Sequence, residues 1–216
     1  MEKMLDVDKS FGILKKNSIP YTEWKTAKTA EQAAKAASKI GFPVAMKIIS
    51  KKVVHKSDIG GVKINLTNEQ EVVNAFEEIT KSARAKAKTK PEAVLIQKME
   101  FGTEVIIGLK RDPQFGPVVI FGLGGVFVEV LKDVSLRIAP LTKKDCAEMI
   151  EEIKGAPILK GVRGQKPVNI NSLIKILMAV SDIGLKNKRI SEMDLNPVIV
   201  NETSATVVDV RMLAEK

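Results

Sequence analysis

The sequence predicts an α+β fold in two lobes, and three observations carry that reading. Short β-branched runs are separated by Gly, Pro or Asp at spacings too tight for crossover helices, so their strands pair antiparallel. Helical periodicity is confined to a few longer segments with recognisable stops. The element order up to Pro91 is β-α-β-β-α, and a strand-rich remainder follows. No internal repeat and no low-complexity linker divides the chain.

Taken in order, Asp8 to Lys16 is a helix with Phe11, Ile13 and Leu14 as its apolar set, ending near Asn17. Tyr21 to Thr26 alternates weakly as a strand. Thr29 to Ile40 is an alanine-rich helix stopped by Gly41-Phe42-Pro43. Val44 to Ile49 is a strand, and Val62 to Leu66 returns as its hairpin partner. Asn68 to Lys88 is a helix with Val72, Val73, Phe76 and Ile79 on one side and basic last turns that suit its negative end. The second lobe is expected to hold strands Ala93–Lys98, Thr103–Leu109, Val118–Phe121, Phe127–Leu131 and Val134–Ala139. Helices follow at Lys143–Lys154 and Asn169–Gly184, separated by an exposed basic loop from Ile158 to Pro167. A hairpin from Arg189 to Arg211 closes the chain. The expected domains are 1–20, an N-terminal helix packing on the C-terminal lobe; 21–95, the first lobe; and 96–216, the second.

Bulk properties exclude several classes. A chain of 216 residues with 44% hydrophobic and 28% charged content packs an ordinary core. The longest nearly apolar run, Val118 to Val128, is too short to span a bilayer. The N-terminus lacks a charged n-region followed by an apolar stretch, and the single Cys146 excludes an internal disulfide or a cysteine metal cluster. A cytoplasmic location is expected. The formal charge of +9 favours anionic partners such as nucleotides, coenzymes or an acidic subunit. With 4% aromatics and scattered basic residues, nucleic acid is the poorer match.

Charges inside apolar strands mark the candidate site. Lys47 shares its strand face with Ala45 and Ile49, and an ammonium there either needs an anionic partner or costs several kcal/mol, roughly, in desolvation. The alternative is a lysine snorkelling from an edge strand. Gly60-Gly61 opens the returning strand, where glycines let backbone amides approach an anion. No Walker A loop occurs. His55, the single histidine, sits between these features. Glu104 follows Gln97-Lys98-Met99 and suits vicinal hydroxyls such as those of ribose. Glu129 interrupts an apolar run and reads equally as a solvated strand face. Gly122-Leu123-Gly124-Gly125 lacks dinucleotide-loop spacing and is either a ligand-approaching loop or a tight hairpin. If Asn201 to Ser204 is a four-residue loop, Val200 pairs with Ala205 and Asn196 lies opposite Asp209, with Cβ atoms roughly 5 Å apart. Asp194 projects to the same face. These hard oxygen ligands suit Mg²⁺; the alternative is a polar face in water with Asp194 paired to Arg211.

Together, the strand lysine, the Gly-Gly hairpin, Gln-Lys-Met, the following Glu and a terminal Asp-x-Asn-Pro with a later Asp resemble the ATP-grasp superfamily. The runs HKSDIGGVKINL, VIFGLGGVFVEVLKDVSLRIAPL, LKGVRGQKP, MDLNPVIV and VVDVR narrow the likeness over nearly the whole chain. They are similar to the β subunits of ADP-forming acetyl-CoA synthetases, within the nucleoside-diphosphate-forming acyl-CoA synthetases that include succinyl-CoA synthetase. One departure is Asn169, where an acidic residue is expected.

The resemblance implies two lobes with an adenine nucleotide, ADP or ATP, between them. It implies that Lys47 holds phosphates, that Gly60 and Gly61 line a mobile loop, and that the backbone of Gln97, Lys98 and Met99 meets adenine. Glu104 would take the ribose, and Asn196 and Asp209, with Asp194 less directly matched, would bind Mg²⁺. His55 would relay a phosphoryl group from a phosphohistidine on a separate CoA-binding α subunit, in an α2β2 hetero-oligomer. Rival expectations are another ATP-grasp ligase subunit, such as a succinyl-CoA synthetase β subunit, and a non-catalytic nucleotide-sensing module.

Overall fold

In the computed structural model, which describes residues 2–50, 59–86, 88, 91–125, 132–162 and 164–215, the chain divides into two compact units. The smaller is Thr22–Met99; the larger joins Met1–Tyr21 to Glu100–Lys216.

The small unit is a four-stranded antiparallel sheet in the order β2-β5-β3-β4, from β2 (Trp24–Ala27), β3 (Val44–Ile49), β4 (Val62–Leu66) and β5 (Ala93–Lys98). Helices α2 (Ala30–Ile40) and α3 (Glu69–Lys86) cover one face. Thr29 caps α2 by accepting from the Gln32 amide, and Gly41 ends it at φ +89°. The apolar stripe of α2 is mostly alanine, so helix and sheet approach closely around Ala33, Ala37, Met46, Ile48, Val72, Ile79 and Ile96, all buried. Full burial of side chains such as Met46 and Ile48 contributes about 1.5–3 kcal/mol each.

The large unit is a seven-stranded antiparallel sheet, among the described residues. Its main path runs β1 (Glu2–Met4), β11 (Val210–Glu215), β9 (Ile190–Val200), β6 (Thr103–Asp112), β7 (Gly116–Leu123) and β8 (Val134–Ile138); β10 (Ala205–Val207) also pairs with β9. Helix α1 (Val7–Lys16) packs on β11. Helices α4 (Lys143–Glu152) and α6 (Ile170–Lys186), with the short α5 (Ala156–Leu159) between them, cover the face bearing Val105, Ile107, Leu109, Val119, Phe121, Met193 and Leu195. Alternation turns Glu104, Ile106, Gly108, Asp194 and Asn196 to the opposite face.

Several boundaries differ from the sequence expectation. The division at residue 95 would fall inside β5, but β5 is an interior strand of the small sheet, so the boundary lies after Met99. Period-2 alternation reveals a strand without revealing which sheet it joins. The weak strand expected at Tyr21 begins at Trp24, and Tyr21 instead bridges Val207. The basic loop expected from Ile158 opens on α5, whose Leu159 is fully buried. The closing hairpin gains a third strand and runs on to Glu215. The strand expected at Phe127–Leu131, with Glu129, lies outside the described residues, as do His55 and its neighbouring lysines. Among the described residues no helix is long and apolar enough to cross a membrane.

Candidate functional site

The small unit supplies a buried cation. Lys47 is 8% exposed and sits mid-sheet on β3, opposite Leu95 of β5 and Val62 of β4. The edge-strand alternative therefore fails, because β3 is flanked on both sides. An ammonium buried in this position is costly without a partner. The returning strand starts tightly: Gly60 has φ +68°, a conformation L side chains rarely adopt, and the Gly61 carbonyl accepts from the Ile48 amide at 2.9 Å. Ser82 of α3 donates to the Ile59 carbonyl and anchors the turn to the helix. The alternation expected for β4 is broken, since the register slips between Val44 and Met46, Asn65 takes φ +57° and Ile64 is exposed.

The end of β5 is held within its own unit. Lys98 N donates to the Glu23 carbonyl, Met99 N donates to the Pro43 carbonyl, and the Lys98 carbonyl accepts from Thr22 Oγ1. Gln97 is fully buried between Trp24 and Ala45. With the amides of Lys98 and Met99 engaged, carbonyl oxygens are what this segment offers to a base's amino group.

The large unit supplies the acidic groups. Pairs between β9 and β10 run Val200↔Ala205, Ile199↔Thr206 and Val198↔Val207; those between β9 and β11 resume at Leu195↔Val210 and Asp194↔Arg211. Between them the Val208 amide donates to the Pro197 carbonyl and the Asn196 amide to the Asp209 carbonyl at 3.2 Å. One register thus runs through the break between β10 and β11, and it sets Asn196 against Asp209 and Asp194 against Arg211. Leu195 and Val210 are buried on the helix side, so these four polar side chains share the face turned away from the helices. Burial pushes the Asp194 carboxyl above its ordinary range; Arg211 opposes the shift, while the Asp209 and Glu192 carboxylates add to it. Carboxylates gathered on one half-buried face suit a divalent cation, and Asn196 adds an exposed amide. Gly108 of β6 lies beside Asp194 and leaves space there.

Glu104 is exposed on the same face, and the glycine cluster serves it directly. Gly124 N donates to the Glu104 carbonyl at 2.8 Å, and a Cβ on Gly124 would stand 2.9 Å from that of Glu104. Gly125 brings backbone near the carboxylate, its Cβ position 3.9 Å from Oε2.

Sequence reasoning missed two supports. Asp133, buried, accepts from the Lys154 and Gly155 amides, both at 2.8 Å, and ties the approach to β8 to the turn after α4. Arg111 donates to the Gly184 carbonyl at 2.7 Å at the end of α6. Buried Cys146 is no nucleophile: burial, then the Asp145 charge, pushes its thiol up to about 11. Among the described residues no group of three or more His, Cys, Asp or Glu forms a metal cluster, consistent with a sparse site that includes an amide.

Comparison with known proteins gives these features a context. Residues 1–213 match the ATP-grasp domain family. The β subunit of ADP-forming acetate–CoA ligase I from Pyrococcus furiosus is 50% identical over 206 residues, covering 93% of this chain and 88% of that one. ADP-forming acetate–CoA ligase I of Archaeoglobus fulgidus is 46% identical, but the match spans 30% of its length. Among solved structures, the acetyl-coenzyme A synthetase 1 of Ca. Korarchaeum cryptofilum in complex with coenzyme A, Ca-AMPCP and HgCl+ has a TM-score of 0.95 at 45% identity, covering 99% of this chain and 94% of that one. A second structure of that synthetase, with coenzyme A and Mg-AMPPCP, has its phosphohistidine segment pointing towards the nucleotide binding site; it gives a TM-score of 0.85 at 44% identity over 99% of this chain and 93% of that one. On these matches the chain belongs to the ATP-grasp family, among the β subunits of ADP-forming acetate–CoA ligases.

Proposed function

We propose that this chain is the nucleotide-binding subunit of an ADP-forming acyl-CoA synthetase, catalysing acyl-CoA + ADP + phosphate = acid + ATP + CoA together with a CoA-binding α subunit. The observation that carries this reading is the 50% identity over nearly the full length of the Pyrococcus furiosus β subunit. The Pyrococcus furiosus relative is named as a β subunit and is covered to 88% of its length, which supports a division of labour in which the CoA chemistry belongs to another polypeptide. An α2β2 assembly in the cytoplasm is part of the proposal.

Residue roles follow from the chemistry described above. Lys47 holds nucleotide phosphates, and the turn at Gly60 and Gly61 lies against them. Gln97 to Met99 meet the base through the backbone, and Glu104 accepts from the ribose hydroxyls. Asn196 and Asp209, with Asp194 beside them, hold Mg²⁺, which when bound screens the charge of the phosphate oxygens. His55 takes the phosphoryl group from the phosphohistidine of the α subunit and gives it to ADP: in each step one N–P bond breaks as the next N–P or O–P bond forms. An imidazole nitrogen can serve both as nucleophile and as leaving group for a phosphoryl group.

The test is reconstitution. The isolated chain is expected to bind Mg-ADP, as read by calorimetry, and to make no ATP from acyl-CoA; adding the α subunit restores turnover. Acyl-CoA-dependent ATP formation by this chain alone would refute the division of labour.

A further inference from the structure

A cation stands beside the metal-ligand candidates of the acidic patch, and its placement is unusual. Arg211 is the direct cross-strand partner of Asp194, an arrangement that brings Cβ atoms within about 5 Å and ordinarily invites an ion pair. Among the described residues, however, no carboxylate lies within ion-pair distance of the Arg211 guanidinium. Arg211 is exposed, whereas Asp194 is half-buried. The neighbours of Arg211 on either side, Val210 and Met212, are buried towards the helices, so Arg211 stands on the face of Asp194, Asn196 and Asp209.

Resting on the reading of this patch as the metal–nucleotide site, we propose that Arg211 is a phosphate-binding residue, its guanidinium donating to phosphate oxygens of the metal-bound nucleotide. Carboxylates alone would repel a polyphosphate, and a divalent ion offsets only part of that charge. A guanidinium beside the metal ligands supplies a second cation with a fork of donors matched to two phosphate oxygens. Its exposure fits this role, because the phosphate desolvates the group only on binding.

The experiment compares Arg211→Gln and Arg211→Lys with the unaltered chain. Calorimetry measures Mg-ADP affinity, and electron paramagnetic resonance measures Mn²⁺ binding without nucleotide. Arg211→Gln is expected to weaken Mg-ADP binding by about 10- to 100-fold, the range of a lost charged hydrogen bond. Arg211→Lys should recover part of this, since it keeps the charge and loses the fork. Mn²⁺ alone should bind Arg211→Gln as well as, or better than, the unaltered chain, because a nearby positive charge is gone. Unchanged Mg-ADP affinity would overturn the inference. So would an equal loss of Mn²⁺ and Mg-ADP affinity, which would mean that Arg211 merely orients Asp194. An unaltered chain that bound no ADP would refute the proposed function itself.

Discussion

The small sheet buries a lysine on an interior strand, whereas the large sheet carries carboxylates on a face its helices leave open. The difference follows from how each ion is held. A buried ammonium such as that of Lys47 is costly unless a partner meets it. Carboxylates that keep partial access to water carry a smaller penalty; at Asp194 burial is the main cause of the raised carboxyl, and the Asp209 and Glu192 charges add to it. On the proposed reading, the buried cation of one unit meets the nucleotide's anionic groups and the carboxylates of the other meet the metal. The architectures differ as well: the small unit is one continuous segment, and the large unit joins both ends of the described chain.

Four substitutions break or sharpen this contrast. The largest effect is expected from His55→Ala, which should lower acyl-CoA-dependent ATP synthesis by the assembled enzyme at least about a thousandfold while leaving Mg-ADP affinity intact. Full synthesis by that variant would remove the relay. Lys47→Met should weaken ADP binding by up to about 100-fold whether or not Mg²⁺ is present, because the anion-binding unit is affected directly. If the loss appeared only with Mg²⁺, the separation of roles would collapse. Asp209→Asn should act the other way, weakening Mg-ADP by about tenfold or more and metal-free ADP hardly at all. Calorimetry with and without chelator reads both.

The smallest effect is one of stability. The Asp194 carboxyl titrates above its ordinary value of 3.8 in the folded protein, so the folded state binds its proton more tightly than the unfolded state. The stability it contributes is therefore present below 3.8 and is lost as pH rises through the folded value. Without metal, Asp194→Asn should melt about 2–4 °C higher than the unaltered chain at neutral pH, and the gap should close in acid. A gap that persisted at pH 3 would mean that charge is not its cause.

Where local chemistry decides a feature, the sequence was readable. The helix from about Thr29, its stop at Gly41 and the strand at Val44 follow from residue preferences within a few positions. The register that sets Asn196 against Asp209 followed from a turn length and a period of two, and the same arithmetic extended two residues further reaches Arg211 opposite Asp194. Features decided by distant partners were not readable. The assignment of β5 to the small sheet depends on β2 and β3, which lie far earlier in the chain. The two hydrogen bonds of Asp133 reach Lys154 and Gly155 across an intervening helix, and no local pattern announces them. Gly124 read equally as a loop and as a turn because its reason, the close approach of Glu104, belongs to another strand.

The pairing of β1 with β11, Glu2 against Glu215, carries a consequence for synthesis. As the polypeptide leaves the ribosome, Thr22–Met99 can complete its sheet from its own residues while translation continues. Strand β1 cannot, because its partner β11 is made more than two hundred residues later. Until then α1 must present Phe11 and Leu14, both buried in the finished protein, without the β11 surface they pack towards. The order of assembly therefore departs from the order of synthesis: Thr22–Met99 closes before β1 and α1, made earlier, lock into place.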